Sequence, residues 1–211
     1  SMQDVVVETI EVFEKAVTGF EGERIGLTIF NASAVQIFPL TDDYSFVQRE
    51  LARIKASFDF TESYPEHWAG TLSGPGSSLI GDGLTSCTIG FGGAGEERSR
   101  TIILATDNEE QGAATVSLDE AAAYAKAQQV RVYAINPADA SATDESGNPE
   151  VSAELRQAMR ETGGQAYGLR DQTAVPEIIA KVQRQEAKIL QGEQKLALAD
   201  APNVWIGALA A

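Results

Sequence analysis

An alternation constrains this chain more than anything else in it. Short apolar runs of strand length, at residues 24–30, 34–38, 101–105, 130–135 and 166–168, are separated by stretches with helical periodicity. In the first of these stretches Val6, Ile10, Phe13 and Val17 fall at steps of four, three and four, one face of a helix. A second helix is predicted after Thr41, Asp42 and Asp43, a capping hydroxyl and two carboxylates, with a core face of Val47, Leu51 and Ile54. A third runs from Leu79 to about Gly90, and Ser117 and Glu120 form a capping box that opens a fourth, reaching Gln128. Asn148-Pro149 opens a fifth, which ends at Gly163-Gly164, and a last helix starts near Val175. Strands alternating with helices of this length make βαβ units and a mostly parallel sheet. The turn at Asn31, Ala32 and Ser33 joins the first two strands as an antiparallel hairpin at its edge. The fold class is therefore an α/β three-layer sandwich.

Charge and reactive side chains then exclude whole classes of function. The 211 residues hold 31 acidic against 16 basic side chains, a formal charge of −15, which would repel nucleic acid. One cysteine leaves no material for an internal disulfide or a cysteine zinc finger, and the single histidine, His67, argues against a multi-histidine metal site or a conventional Ser-His-Asp enzyme. Cys87 sits beside Leu84 in an apolar helical turn and reads as a small buried hydrophobe. The irregular stretch 57–78 is long enough to suggest function. Within it His67 reads as a contact residue rather than a ligand. Tyr64, Pro65 and Trp68 either form a binding rim or pack on their own domain.

Open parallel sheets bind ligands at the carboxyl ends of their strands. Two polar loops belong there: Thr106-Asp107-Asn108-Glu109-Glu110, after the most apolar strand, and Gly74-Pro75-Gly76-Ser77-Ser78, before a helix. Carboxylates beside hydroxyls suit a hard cation held through oxygen. The alternative is that Asp107 only ends a strand and Ser77 or Ser78 only caps a helix. The second loop begins like a dinucleotide fingerprint, which opens a reading as an α/β enzyme or nucleotide binder using residues Gly74 to Ser78 for phosphate. Against that, Leu79 stands where the third glycine belongs, no lysine follows, and no G-x-S-x-G elbow occurs.

The ordered phrases resemble the von Willebrand factor A (VWA) domain. Residues 24–30, RIGLTIF, are similar to that family's "drvglvtF" strand, and Phe38-Pro39-Leu40-Thr41 to its "pLT" phrase. Residues 76–84, GSSLIGDGL, are similar to "gGTxigdgL", residues 103–107 to "LLTDG", residues 132–135 to "vyaIG", and residues 162–167 to "TGGxyf". The polar helix after "TGG", followed by an apolar run, particularly resembles the membrane-anchored, aerotolerance-associated Bat type. The resemblance spans about residues 4–185. It implies a Rossmann-like sandwich and a protein–protein interaction module rather than an enzyme, binding a partner's carboxylate through magnesium, manganese or calcium at a metal-ion-dependent adhesion site (MIDAS). Ser78 stands for that site's Thr and Asp107 for its Asp, while Asn108 replaces a usual Gly. The sequence holds no D-x-S-x-S and no apolar first strand ahead of it. The site is thus incomplete, and magnesium affinity is expected to fall sharply unless Glu109 or Asp82 supplies replacement ligands.

Residues 1–190 read as the VWA-like domain and 191–211 as a polar linker with the start of an apolar segment. The opening Ser1-Met2-Gln3-Asp4 shows no leader. The run from Val204, with Trp205 at its start, reads as the beginning of a membrane helix or as a strand that fills the missing strand's place, in its own chain or in a second copy. The expected setting is a cell membrane, with this domain outside the bilayer. Without the first strand, the sheet must close by direct pairing of its neighbours or leave a slot for another segment.

Overall fold

The computed structural model describes residues 2–57, 68, 70–92, 98–106, 110–112, 114–136 and 153–199, with side chains placed between residues 4 and 189. Helix α1 (Met2–Thr18) leads into the hairpin β1 (Ile25–Phe30) and β2 (Ala34–Thr41), then α2 (Tyr44–Ser57) and α3 (Ile80–Ile89). Strand β3 (Arg100–Ala105), α4 (Leu118–Ala127), β4 (Val130–Asn136), α5 (Ala153–Glu161), β5 (Ala166–Gly168) and α6 (Ala174–Ala199) complete the order.

β3, β4 and β5 form a parallel sheet in that order, with Ile102 beside Val132 and Ala134 beside Ala166. Strand alternation sorts its side chains into two faces. Ile102, Leu104, Val130, Val132 and Ala134 pack with Leu84, Ala121, Ala125, Leu155 and Met159, so α3, α4 and α5 cover one face. Tyr133 packs on the other with Tyr167, Ile178 and Val182, under α6. The α/β sandwich expected from the sequence is present.

The hairpin does not join the edge of that sheet. It is a two-stranded antiparallel sheet of its own, with a second core of Ile10, Val17, Phe38, Val47, Leu51 and Ile54 between it and helices α1 and α2. The segments that follow β1 and β3 nevertheless meet at one loop. Asn31, just past β1, accepts the Leu79 amide at 3.0 Å, and Ser77 pairs with Gln111, beyond the end of β3. Helix α3 packs on β1, β2 and β3 alike. Closure by direct pairing of β1 with β3 is not formed among the described residues. The other candidate for the slot, 204–209, lies outside them.

Local signals place most element ends. Asp43, rather than Thr41, caps α2: its carboxylate accepts the Phe46 amide at 2.8 Å, while the Thr41 hydroxyl accepts from Asp43 itself. β2 runs on through Pro39 to Thr41, which is tolerated because among the described residues β2 pairs on one side only. The Ser117–Glu120 capping box forms as expected. Asn148 and Pro149 lie outside the described residues, where α5 is first seen at Ala153. Helix α6 continues to Ala199, in line with the polar helix read from about Val175 towards Leu196, and so runs into the stretch 191–211 set apart as linker. Among the described residues no helix is long and apolar enough to cross a membrane.

Candidate functional site

The loop ahead of α3 is built on three anchors. Gly76 has φ +104°, and a Cβ there would lie 2.7 Å from the Gln111 carbonyl oxygen, so only glycine lets the loop approach the segment beyond β3. Ser77 then exchanges backbone hydrogen bonds with Gln111, donating at 2.7 Å and accepting at 3.0 Å. The Ser78 amide donates to the Asn31 side-chain oxygen at 3.1 Å and the Leu79 amide to the Asn31 carbonyl at 3.0 Å. Upstream, the Thr71 amide and hydroxyl both donate to the Trp68 carbonyl. Ser33 closes the other side, its amide donating to the Thr71 carbonyl and its hydroxyl to that of Gly70. The loop is thereby stitched to the carboxyl ends of β1 and β3, the position that open α/β sheets use for ligands.

Ser78 occupies that position with φ 55°, a left-handed conformation that costs a non-glycine residue on the order of 1–2 kcal/mol. Its hydroxyl and that of Ser77 bond no other described residue. Asp107 follows Thr106, whose amide donates to the Ile135 carbonyl at 3.2 Å, but Asp107, Asn108 and Glu109 lie outside the described residues. Sequence reasoning missed Asn31, which it read only as a turn residue. A short amide side chain directly after an apolar strand was the available signal.

Of the expected metal ligands, Ser78 lies among the described residues and Asp107 and Glu109 outside them. Asp82, considered as a replacement ligand, has both carboxylate oxygens committed, accepting the Thr115 amide at 3.0 Å and the Val116 amide at 3.1 Å. Among the described residues no group of three or more His, Cys, Asp or Glu side chains converges. Cys87 packs against the α3–β3 core. Burial pushes its thiol above the ordinary cysteine range, and a hydrogen bond with Thr28 only partly offsets that shift, so the thiolate is disfavoured. His67, Tyr64 and Pro65 lie outside the described residues.

No protein-family model matches this chain, and no curated protein matches it. Solved structures do. The chain is similar to an aerotolerance-related membrane protein from Bacteroides fragilis NCTC 9343, at 17% identity and TM-score 0.58, covering 86% of this chain and 87% of that one. It is similar to the conserved hypothetical protein BatB from Bacteroides thetaiotaomicron, at 18% identity and TM-score 0.60, covering 83% of this chain and 85% of that one. Proximal thread matrix protein 1 of the mussel byssus matches at 17% identity and TM-score 0.54, covering 86% of this chain and 42% of that one. At such identities the likeness is one of fold, and two of these folds belong to Bat-type, aerotolerance-related proteins.

Proposed function

We propose that this chain is a VWA-type protein-interaction module of a bacterial membrane-anchored protein, and not an enzyme. A partner engages the carboxyl-end face around Ser78, and Asp107, next in sequence after Thr106, is proposed to contribute to it. The observation that carries the reading is the stitched loop at residues 76–79, which holds a serine at positive φ, its hydroxyl unbonded among the described residues, where β1 and β3 end. The family's divalent cation would bring a partner's carboxylate to this face. The described donors fall short of an octahedron, so no part of the reading is routed through metal. The anchor is proposed to begin near Val204.

The same loop weakens the phosphate-binding alternative. A phosphate cradle needs free backbone N–H groups. Here the amides of Ser77, Ser78 and Leu79 already donate to Gln111 and Asn31.

The test is an NMR titration of the full chain with a short peptide carrying one aspartate, with and without magnesium chloride, and separately with ADP. Peptide-induced shifts at residues 31, 76–79 and 106–111 that vanish in Ser78→Ala support the module. Shifts in the same loop with ADP alone would favour the nucleotide binder.

A further inference from the structure

At the opposite end of the parallel sheet lies a cavity of about 360 Å³ between the start of β4, the glycine turn before β5, and α6. Four of the chain's 16 basic side chains line it: Arg131, Lys181, Arg184 and Lys188. The last three recur at steps of three and four, so they form one stripe of α6. Gly163, at φ +82°, lets the turn lie close enough that a Cβ there would sit 3.5 Å from the Arg131 guanidinium. Lys181 is partly neutralised: it bonds Gln165 at 2.8 Å, the Tyr167 hydroxyl at 2.9 Å and Glu177 at 3.4 Å. Among the described residues Arg131, Arg184 and Lys188 form no ion pair.

Such a concentration of unpaired cations is unexpected on a chain of net charge −15, where carboxylates are abundant enough to pair them. A second, independent observation points to a ligand. Tyr133 lines the cavity at 1% exposure, and its hydroxyl is buried with no hydrogen-bond partner among the described residues. A buried, unmade hydrogen bond is costly, and in a native fold such a group calls for an explanation, of which an ordered water, an ion or a ligand are the common ones. The Gln185 side-chain oxygen in the same wall is also buried and unpartnered. Its amide can present N–H₂ instead after a flip.

We propose that this cavity binds a phosphate-bearing anion. Three free cations, two of them the guanidinium forks of Arg131 and Arg184, match several charged oxygens on one group. Tyr133 stands in the cavity's inner wall, where a small side-chain shift would bring its hydroxyl to such a group as a further donor. A cavity of this volume is at the small end of small-molecule sites. It accommodates one or two phosphoryl groups with what they are attached to. The source is either a soluble phosphate compound or the headgroup of an anionic lipid. The lipid case rests on the membrane-anchored reading above; the site itself does not.

The experiment titrates the full chain with inorganic pyrophosphate by NMR and calorimetry. In parallel, it measures co-sedimentation with phosphatidylglycerol vesicles against phosphatidylcholine vesicles. Expected are resonance shifts at residues 131, 133, 163–165, 184 and 188. Arg184→Gln with Lys188→Gln, both exposed, should weaken binding about tenfold or more, and Tyr133→Phe about tenfold, without loss of melting temperature. Ser78→Ala should leave binding unchanged, which separates this site from the proposed partner face. Pyrophosphate binding without vesicle binding assigns a soluble ligand. Vesicle binding that requires phosphatidylglycerol and is lost in the variants assigns a headgroup. Binding to neither probe, or binding that the variants do not reduce, overturns the proposal.

Discussion

Ser78 and Gly83 sit five residues apart and show two ways a single backbone position is constrained. Ser78 holds a left-handed φ with a side chain that gains nothing from it within the described fold. Ser78→Gly is expected to raise stability by roughly 1 kcal/mol by relieving that strain, while abolishing any contact that needs the hydroxyl. Ser78→Ala keeps the strain and should leave the melting temperature nearly unchanged. Thermal melts of the pair beside the peptide titration test whether the strain is retained for binding. Gly83 instead faces the Phe30 ring, where a Cβ would lie 2.7 Å from Cδ2. Gly83→Ala should therefore destabilise by about 1–3 kcal/mol, read by denaturant midpoint. The sequence pattern made Ser78 legible as a hydroxyl in a glycine-rich phrase. It could not show the sign of φ, nor that Asn31, 47 positions earlier, holds the Ser78 amide.

Periodicity reports which face of an element is apolar, and so the helices were readable at the scale of the element. Val47, Leu51 and Ile54 are all buried in α2 as their spacing requires. The capping box of α4 was equally legible because its signal is local. Ser117→Ala should cost about 1 kcal/mol. Hydrogen bonds from the Ser117 amide, first, and from its hydroxyl hold the Glu120 carboxyl below the ordinary glutamate range. A folded-state value lowered in this way stabilises the fold above the unfolded value, and the contribution is lost as pH falls through the lowered one. Melting temperature is thus expected to decline on acidification below the ordinary glutamate range, and Glu120→Gln should make that decline shallower. The basic stripe of α6 was present in the sequence as spacing alone. Its significance depends on Arg131 and Tyr133, contributed by a strand some fifty residues earlier, and no helical pattern encodes that meeting.

For the molecule as a whole, the pattern of runs predicted how many strands form but not which of them pair. A strand's alternation describes its two faces and says nothing about its edges. The hairpin core and the parallel-sheet core, the latter a cluster on each face of its sheet, are each continuous in sequence to a large degree: α1, β1, β2 and α2 fall within residues 2–57, and α3 to α6 within 80–199. Truncations within either core should act on one half first. Leu155→Ala, at a fully buried position of the parallel half, is expected to cost about 3 kcal/mol. Hydrogen exchange should show β3 and β4 losing protection before β1 and β2 do.

A sheet divided in this way also makes the polypeptide divisible. A protease site introduced between Ser57 and Trp68 would separate a hairpin-and-two-helix piece from one carrying α3 and the parallel sheet. No strand ladder would be severed, because among the described residues none crosses that point. The pieces would still meet where α3 packs on β1 and β2 and where α1 meets α6, with Glu8 paired to Arg170 at 3.3 Å. Cleaved protein should therefore elute as one particle and come apart in denaturant at a concentration that depends on dilution. The larger piece should keep its parallel-sheet circular dichroism after separation. Loss of all secondary structure on cleavage would mean that the two halves fold only as one cooperative body.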